Sequence, residues 1–115
     1  SQPMNPEWEV SVEQVHEMRS NGARLFLIDC RTEKERAIAT LDRSVLVPLD
    51  EFASRAADLV DDIEDDHHVV IYCHHGRRSL TAAALLRSAG VERAMSMAGG
   101  IDAWSKKIDP AVAVY

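Results

Sequence analysis

The chain has 115 residues, of which 46% are hydrophobic and 28% charged, with a formal net charge of −6 at pH 7. That is enough chain for one domain with a single core, in a composition ordinary for a soluble globular protein, and its acidic balance excludes a broad nucleic-acid footprint. No apolar run approaches a membrane span, the N-terminus "SQPMNPEWEV" has no signal-peptide pattern, and two cysteines make no disulfide framework. A cytoplasmic protein without membrane or nucleic-acid partners is expected, folded as one domain over residues 1–115 with residues 1–8 as a loosely ordered extension. Ser1 either follows a removed Met or opens a piece of a longer protein.

Glu9 to Val10 reads as a short strand. Ser11 and Gln14 form the S-x-x-Q version of a capping box, which starts a helix that buries Val12, Val15 and Met18 and stops at Asn21-Gly22. The run "LFLID" (Leu25 to Asp29) turns abruptly from apolar to charged, as a buried parallel strand does. A brief polar helix is expected in "TEKERA", then a strand in "SVLVP" (Ser44 to Pro48), then a helix capped by Asp50 and running to about Val60. "HVVIY" (His68 to Tyr72) is the best-defined strand, from its β-branched and aromatic content. "SLTAAALLRSAG" is the best-defined helix, rich in Ala and Leu and ended by Gly90. "RAMSM" gives a last strand, "AGG" a turn and "IDAWSKK" a short helix, and the acidic tract from Asp58 to His68 reads as a solvated loop. Strands alternating with helices indicate a mostly parallel sheet covered on both faces, an α/β fold.

Function in open parallel sheets collects at the carboxyl ends of the strands. "YCHHGRRS" (Tyr72 to Ser79) sits at such an end, and it crowds Cys73, His74, His75, Gly76, Arg77 and Arg78 into one loop. Gly76 permits positive φ, so the loop can curl with its N–H groups inward as an anion nest, and a helix beginning near Ser79 aims its positive end at the same point. Each element favours thiolate over thiol. A free cysteine with pKa near 8.5 is only about 3% ionised at pH 7, and lowering it by about two units, roughly 2.7 kcal/mol, makes most of it thiolate. Arginine suits oxyanions, so Arg77 and Arg78 are candidate donor-binding groups; one of them has a structural alternative, pairing with a buried acid such as Asp29. One cysteine beside two histidines, with no second ligand pair, makes no metal site.

The loop resembles the active loop of the rhodanese family of sulfurtransferases, C-x-x-G-x-R-S, through Cys73, Gly76, Arg78 and Ser79. Three further stretches resemble the family in the same order: "LIDCRTEKE", with Arg31 and Glu35; "VLVPLDEF"; and "MAGGIDAWS". The resemblance implies a rhodanese-like sheet of about five strands flanked by helices on both faces. It also implies a cycle in which Cys73 takes a sulfane sulfur from a small anionic donor such as thiosulfate and passes it on as a persulfide. The acceptor would be cyanide in an assay, or a thiol or sulfur-accepting protein in cells. His74, His75, Gly76, Arg77 and Arg78 would bind substrate, Asp29, Arg31, Glu35 and Ser79 would support the site, and no metal or organic cofactor is implied. A relay module charged by a partner protein is the alternative. A phosphatase or arsenate reductase is disfavoured, because cysteine phosphatases use C-x5-R and this chain has C-x4-R.

Two departures stand out. Thr40, Asp42 and Arg43 replace the family's His and Pro-Gly turn, and Cys30 replaces a Val. By the family's strand order Cys30 ends a strand neighbouring that of Cys73, so it is either a small core residue or the partner in a resolving disulfide.

Overall fold

The computed structural model describes residues 3–115; Ser1 and Gln2, part of the expected N-terminal extension, lie outside the described residues. From Asn5 onward the chain is tied in place. Trp8 and Glu9 donate their N–H groups to the Asn5 carbonyl, and the Trp8 ring packs against the core beneath the guanidinium of Arg87, 3.7 Å from its centroid.

Five strands follow in chain order: β1 (Glu9–Val10), β2 (Leu25–Asp29), β3 (Ser44–Leu46), β4 (His68–Tyr72) and β5 (Met95–Met97). They pair in the order β1-β5-β4-β2-β3, all parallel, with the two most apolar strands, β4 and β2, inside the sheet. The helices are α1 (Val12–Ser20), α2 (Glu33–Ile38), α3 (Leu49–Asp62), α4 (Arg77–Ser88) and α5 (Gly100–Lys107). Successive strand residues face opposite sides, so one short run feeds two cores. Ile28, Val69 and Ile71 meet Phe52, Leu59, Ala82, Ala83 and Leu86 of α3 and α4. Leu27, Val70 and Tyr72 meet Val12, Val15, Ile101 and Trp104 of α1 and α5. None of these helices is long and apolar enough to cross a membrane.

The local signals hold at several element ends. Ser11 Oγ accepts from the Gln14 N–H at 3.0 Å and Gln14 returns the bond to the Ser11 N–H, which completes the capping box of α1. Thr32 and Glu35 form a second box at α2. Three boundaries differ. Asp50 does not cap α3: Pro48 occupies the N-cap, and the Leu49 N–H, which donates to the Cys30 carbonyl at 3.1 Å, sets the start of the helix from the end of β2. Asp50 instead lies in the first turn, where a negative charge suits the helix dipole, and α3 runs on to Asp62, so the acidic tract begins as helix with Leu59 buried rather than as a solvated loop. β3 stops at Leu46, before Pro48. The helix α4 begins at Arg77 rather than near Ser79, because Gly76 in a left-handed conformation (φ 98°) acts as its N-cap.

At the end of β2 lies a fully buried ion pair. Arg31 donates from Nε and Nη2 to the two carboxylate oxygens of Asp29, each at 2.9 Å, and from Nη2 to the Ala39 carbonyl at 2.7 Å. Both side chains are 0% exposed, and Arg36 adds a third donor to Asp29 at 3.3 Å. Removing one partner of such a pair leaves the other charge buried and uncompensated, which is far more costly than losing a surface pair. Asp29→Ala is therefore expected to destabilise the fold by about 3–5 kcal/mol in urea denaturation. A loss under about 1 kcal/mol, typical of exposed pairs, would show that the pair does not anchor this end of the sheet.

Candidate active site

The loop joining β4 to α4 is shaped by its carbonyl groups. The Cys73 carbonyl accepts from the Ile101 N–H at 2.9 Å and the His74 carbonyl from the Asp102 N–H at 3.1 Å, so both point at the first turn of α5. Only glycine fits where the two segments meet. Gly100 has φ 62°, and a Cβ there would collide with the His74 and Cys73 carbonyls; Gly76 would meet the Gly99 nitrogen at 3.0 Å.

With its carbonyls turned away, the loop presents N–H groups to sulfur. Gly76 donates its N–H to Cys73 Sγ at 3.1 Å and Ser79 donates its own at 3.4 Å, with the Ser79 hydroxyl also 3.4 Å from the sulfur. That hydroxyl is held 2.6 Å from the hydroxyl of Ser96. The sulfur is thus ringed by donors at the base of the loop, and Cys73 is 1% exposed.

Its strand-side neighbour is Cys30. β2 and β4 run in register from Leu25↔His68 to Asp29↔Tyr72, and the Cys30 N–H continues the ladder by donating to the Tyr72 carbonyl at 3.0 Å. The two cysteines are therefore adjacent and on one face of the sheet, both buried, both free. The neighbouring Cys30 thiol is the largest influence lowering the Cys73 pKa, to about 5; burial opposes it, and hydrogen bonds from Ser79 and Gly76 reinforce it. The same neighbour, with burial, pushes the Cys30 thiol up, which favours charge on Cys73 over charge on Cys30.

The remaining predicted site residues divide into two groups. Arg78 donates through both terminal nitrogens to Glu35, at 2.6 and 2.9 Å. Arg78 thus takes the structural pairing foreseen for one of the two arginines, but its acid is Glu35; Asp29 belongs to Arg31 and Arg36. Arg78 stays near enough to both thiols for their charges to act on it, and it holds the Glu35 carboxyl well below the usual carboxylate range. Arg77 is exposed, with no hydrogen bond or ion pair among the described residues.

His74 lies between two rings, 3.9 Å from His75 and stacked 3.8 Å from Tyr115. Its Nε2 is buried without a partner. His74, His75 and Asp102 bring potential metal-ligating atoms within 4.8 Å of one another, although Asp102 already accepts from Lys106 at 3.0 Å.

Tyr115, Ser96 and Gly100 are site residues that the sequence reading missed. The Tyr115 hydroxyl donates to Glu35 at 2.7 Å and accepts from Arg31 Nη1 at 2.9 Å, joining the Asp29–Arg31 pair to the Glu35–Arg78 pair. Burial raises its pKa to about 12, with the Glu35 hydrogen bond adding to the rise. Nothing in the tail "DPAVAVY" marks such a role. Ser96 did leave a signal, as the one polar residue within the apolar strand "MSM". A separate cleft lined by Arg19, Leu25, Leu27 and Arg43 opens at the amino ends of the strands, away from Cys73.

Residues 11–107 match the Rhodanese-like domain family. A human single-domain sulfurtransferase, TSTD1, superposes with a TM-score of 0.73 at 29% identity, over 86% of this chain and 96% of that one. A protein named sulfurtransferase from Allochromatium vinosum is 31% identical over 91% of this chain and 94% of its own length. The adenylyltransferase and sulfurtransferase uba4 of Ogataea parapolymorpha is 31% identical over 92% of this chain, which spans 25% of that protein. Among the curated relatives are several of which this chain spans only 25–38%.

A thiolate stabilised in this way should titrate low. The ultraviolet absorbance of one thiolate is expected to appear as pH rises through about 5 and to be level by neutrality, and to be missing from Cys73→Ser. A midpoint near about 8.5, that of an ordinary cysteine, would show that the cradle does not act on the sulfur.

Proposed function

This chain belongs to the rhodanese-like domain family, and from that premise we propose that it is a sulfurtransferase working through a persulfide on Cys73. The observation that carries this reading is the donor ring around a buried thiolate: Gly76 and Ser79 N–H groups at 3.1 and 3.4 Å, and the Ser79 hydroxyl at 3.4 Å. Such a ring stabilises negative charge on the sulfur before and after it acquires a second sulfur.

In the first half-reaction the Cys73 thiolate attacks the outer sulfur of an anionic donor such as thiosulfate. The sulfur–sulfur bond of the donor breaks, sulfite leaves with the bonding pair, and the negative charge passes to the terminal sulfur of the new persulfide. In the second, a thiophilic acceptor (cyanide in an assay, a thiol or a protein in cells) attacks that terminal sulfur and restores the Cys73 thiolate. Arg77, exposed at the first turn of α4, attracts the anionic donor, with His74 and His75 beside it. Glu35, itself held by the Tyr115 hydroxyl, keeps Arg78 in place near the thiols.

A second reading has its own support. The protein uba4, named for both adenylyl and sulfur transfer, is four times the length this chain matches. A relay charged by a partner protein rather than by free thiosulfate fits that arrangement.

Brief exposure to thiosulfate followed by intact-mass measurement separates these readings. The expected product is one added sulfur, removed by cyanide as thiocyanate and never acquired by Cys73→Ser. Charging by a partner protein but not by thiosulfate supports the relay; added sulfur on Cys73→Ser would sink the mechanism. Arg77→Ala is expected to raise KM for thiosulfate roughly five-fold, the effect of about 1 kcal/mol from an exposed charge, with kcat and melting temperature little changed. A folding defect instead would assign Arg77 a structural role.

A further inference from the structure

Cys30 is a buried thiol that forms and breaks no bond in the sulfur-transfer cycle proposed above. It sits beside the reactive sulfur on the adjacent parallel strand, one residue beyond the register pair Asp29↔Tyr72, on the same face as Cys73. Neighbouring strands lie about 4.8 Å apart, within the Cα separation of about 4.4–6.8 Å that a disulfide spans without backbone movement. Both residues are 1% exposed, so water and external thiols reach this side of Cys73 poorly and Cys30 is the nucleophile at hand.

We propose that Cys30 is a resolving thiol, which discharges the Cys73 persulfide as hydrogen sulfide and leaves a Cys30–Cys73 disulfide. This rests on the persulfide reading above. Cys30 gives its proton to the terminal sulfur of the persulfide and its thiolate attacks Cys73 Sγ. The new bond forms between the two side-chain sulfurs, the bond from Cys73 Sγ to the terminal sulfur breaks, and the terminal sulfur leaves with the bonding pair as hydrosulfide. The sulfane sulfur is reduced to sulfide, and the two thiols are oxidised together to the disulfide. A dithiol reductant then reopens the pair for another turnover. In this way the chain has two outlets: a thiophilic acceptor takes the sulfur at the mouth, and Cys30 releases it as sulfide when no acceptor arrives.

The contact by which Cys30 favours the Cys73 thiolate makes charging itself sensitive to substitution. The discriminating variant is therefore Cys30→Ser, whose hydroxyl still donates a hydrogen bond but forms no disulfide; Cys30→Val serves if the serine variant folds poorly. Each protein is charged to completion with thiosulfate, or with inorganic polysulfide if thiosulfate gives no adduct. It is then desalted and incubated without added thiol while intact mass and free sulfide are followed. In the unsubstituted chain the added sulfur is expected to disappear, with one equivalent of sulfide released. The remaining chain should be lighter than the reduced protein by two hydrogens, with a Cys30–Cys73 peptide link that dithiothreitol reverses. Either variant should keep its added sulfur at least ten times longer and release no sulfide. An unsubstituted chain that keeps its sulfur as long as the variants, or that loses it by forming disulfides between chains, overturns the resolving role and leaves sulfur transfer standing. If no chain takes up sulfur from either donor, the persulfide reading fails and this inference with it.

Discussion

The site depends on where two backbone carbonyls point. The Cys73 and His74 carbonyls are satisfied by the first free N–H groups of α5, which leaves the following N–H groups of the loop to face the sulfur. Two orphan sets, the N–H groups at the start of a helix and the carbonyls of a tight loop, cancel one another. The arrangement needs close backbone approach, and Gly76 and Gly100 supply it at opposite sides of the contact. The anion cradle and the seating of α5 are one feature viewed from its two ends. Ser96 extends it, since its hydroxyl holds that of Ser79 beside the sulfur.

Around this cradle the charges are arranged in a chain. Asp29 holds Arg31, Arg31 donates to the Tyr115 hydroxyl, Tyr115 donates to Glu35, and Glu35 holds Arg78. Each group answers the next, which is what burial demands of ionised side chains. The chain links the end of β2 to the start of α4, and it keeps the Arg78 cation near both thiols. Tyr115 has a second contact, its ring stacked on His74, so the C-terminal segment lies against the loop that carries Cys73.

The parallel sheet distributes chemistry by parity. Asp29 and Tyr72 face the α1 and α5 side with the other members of their core, whereas Cys30 and Cys73, one step further, face α3 and α4. The buried ion pair, at the end of β2, and the buried thiol pair, across the ends of β2 and β4, therefore lie one residue apart yet on opposite faces of the sheet. A slip of one residue in the pairing of β2 and β4 would exchange their faces.

Much of this was written locally in the chain. The apolar runs of β2 and β4, the Ala- and Leu-rich α4 and the Ser11–Gln14 box follow from dihedral preference and periodicity over a few residues, and the alternation of elements gave the parallel sheet. The shape of the Cys73 loop was legible because its cysteine, glycine and helix start are contiguous. Asp50 misled because a side-chain cap signal lost to Pro48 and to a backbone bond from Leu49 to Cys30, which no local pattern contains. The partner of Arg78, the place of Tyr115 and the tie of the loop to α5 join residues that are 43, 80 and 28 positions apart. Such contacts exist only once the strand order β1-β5-β4-β2-β3 has brought their elements together, since side chains distant along the chain meet through crossovers that local propensity does not encode. The sequence by itself determined the elements and the loop between β4 and α4; the tertiary structure decided which groups surround the sulfur and which charge each arginine meets.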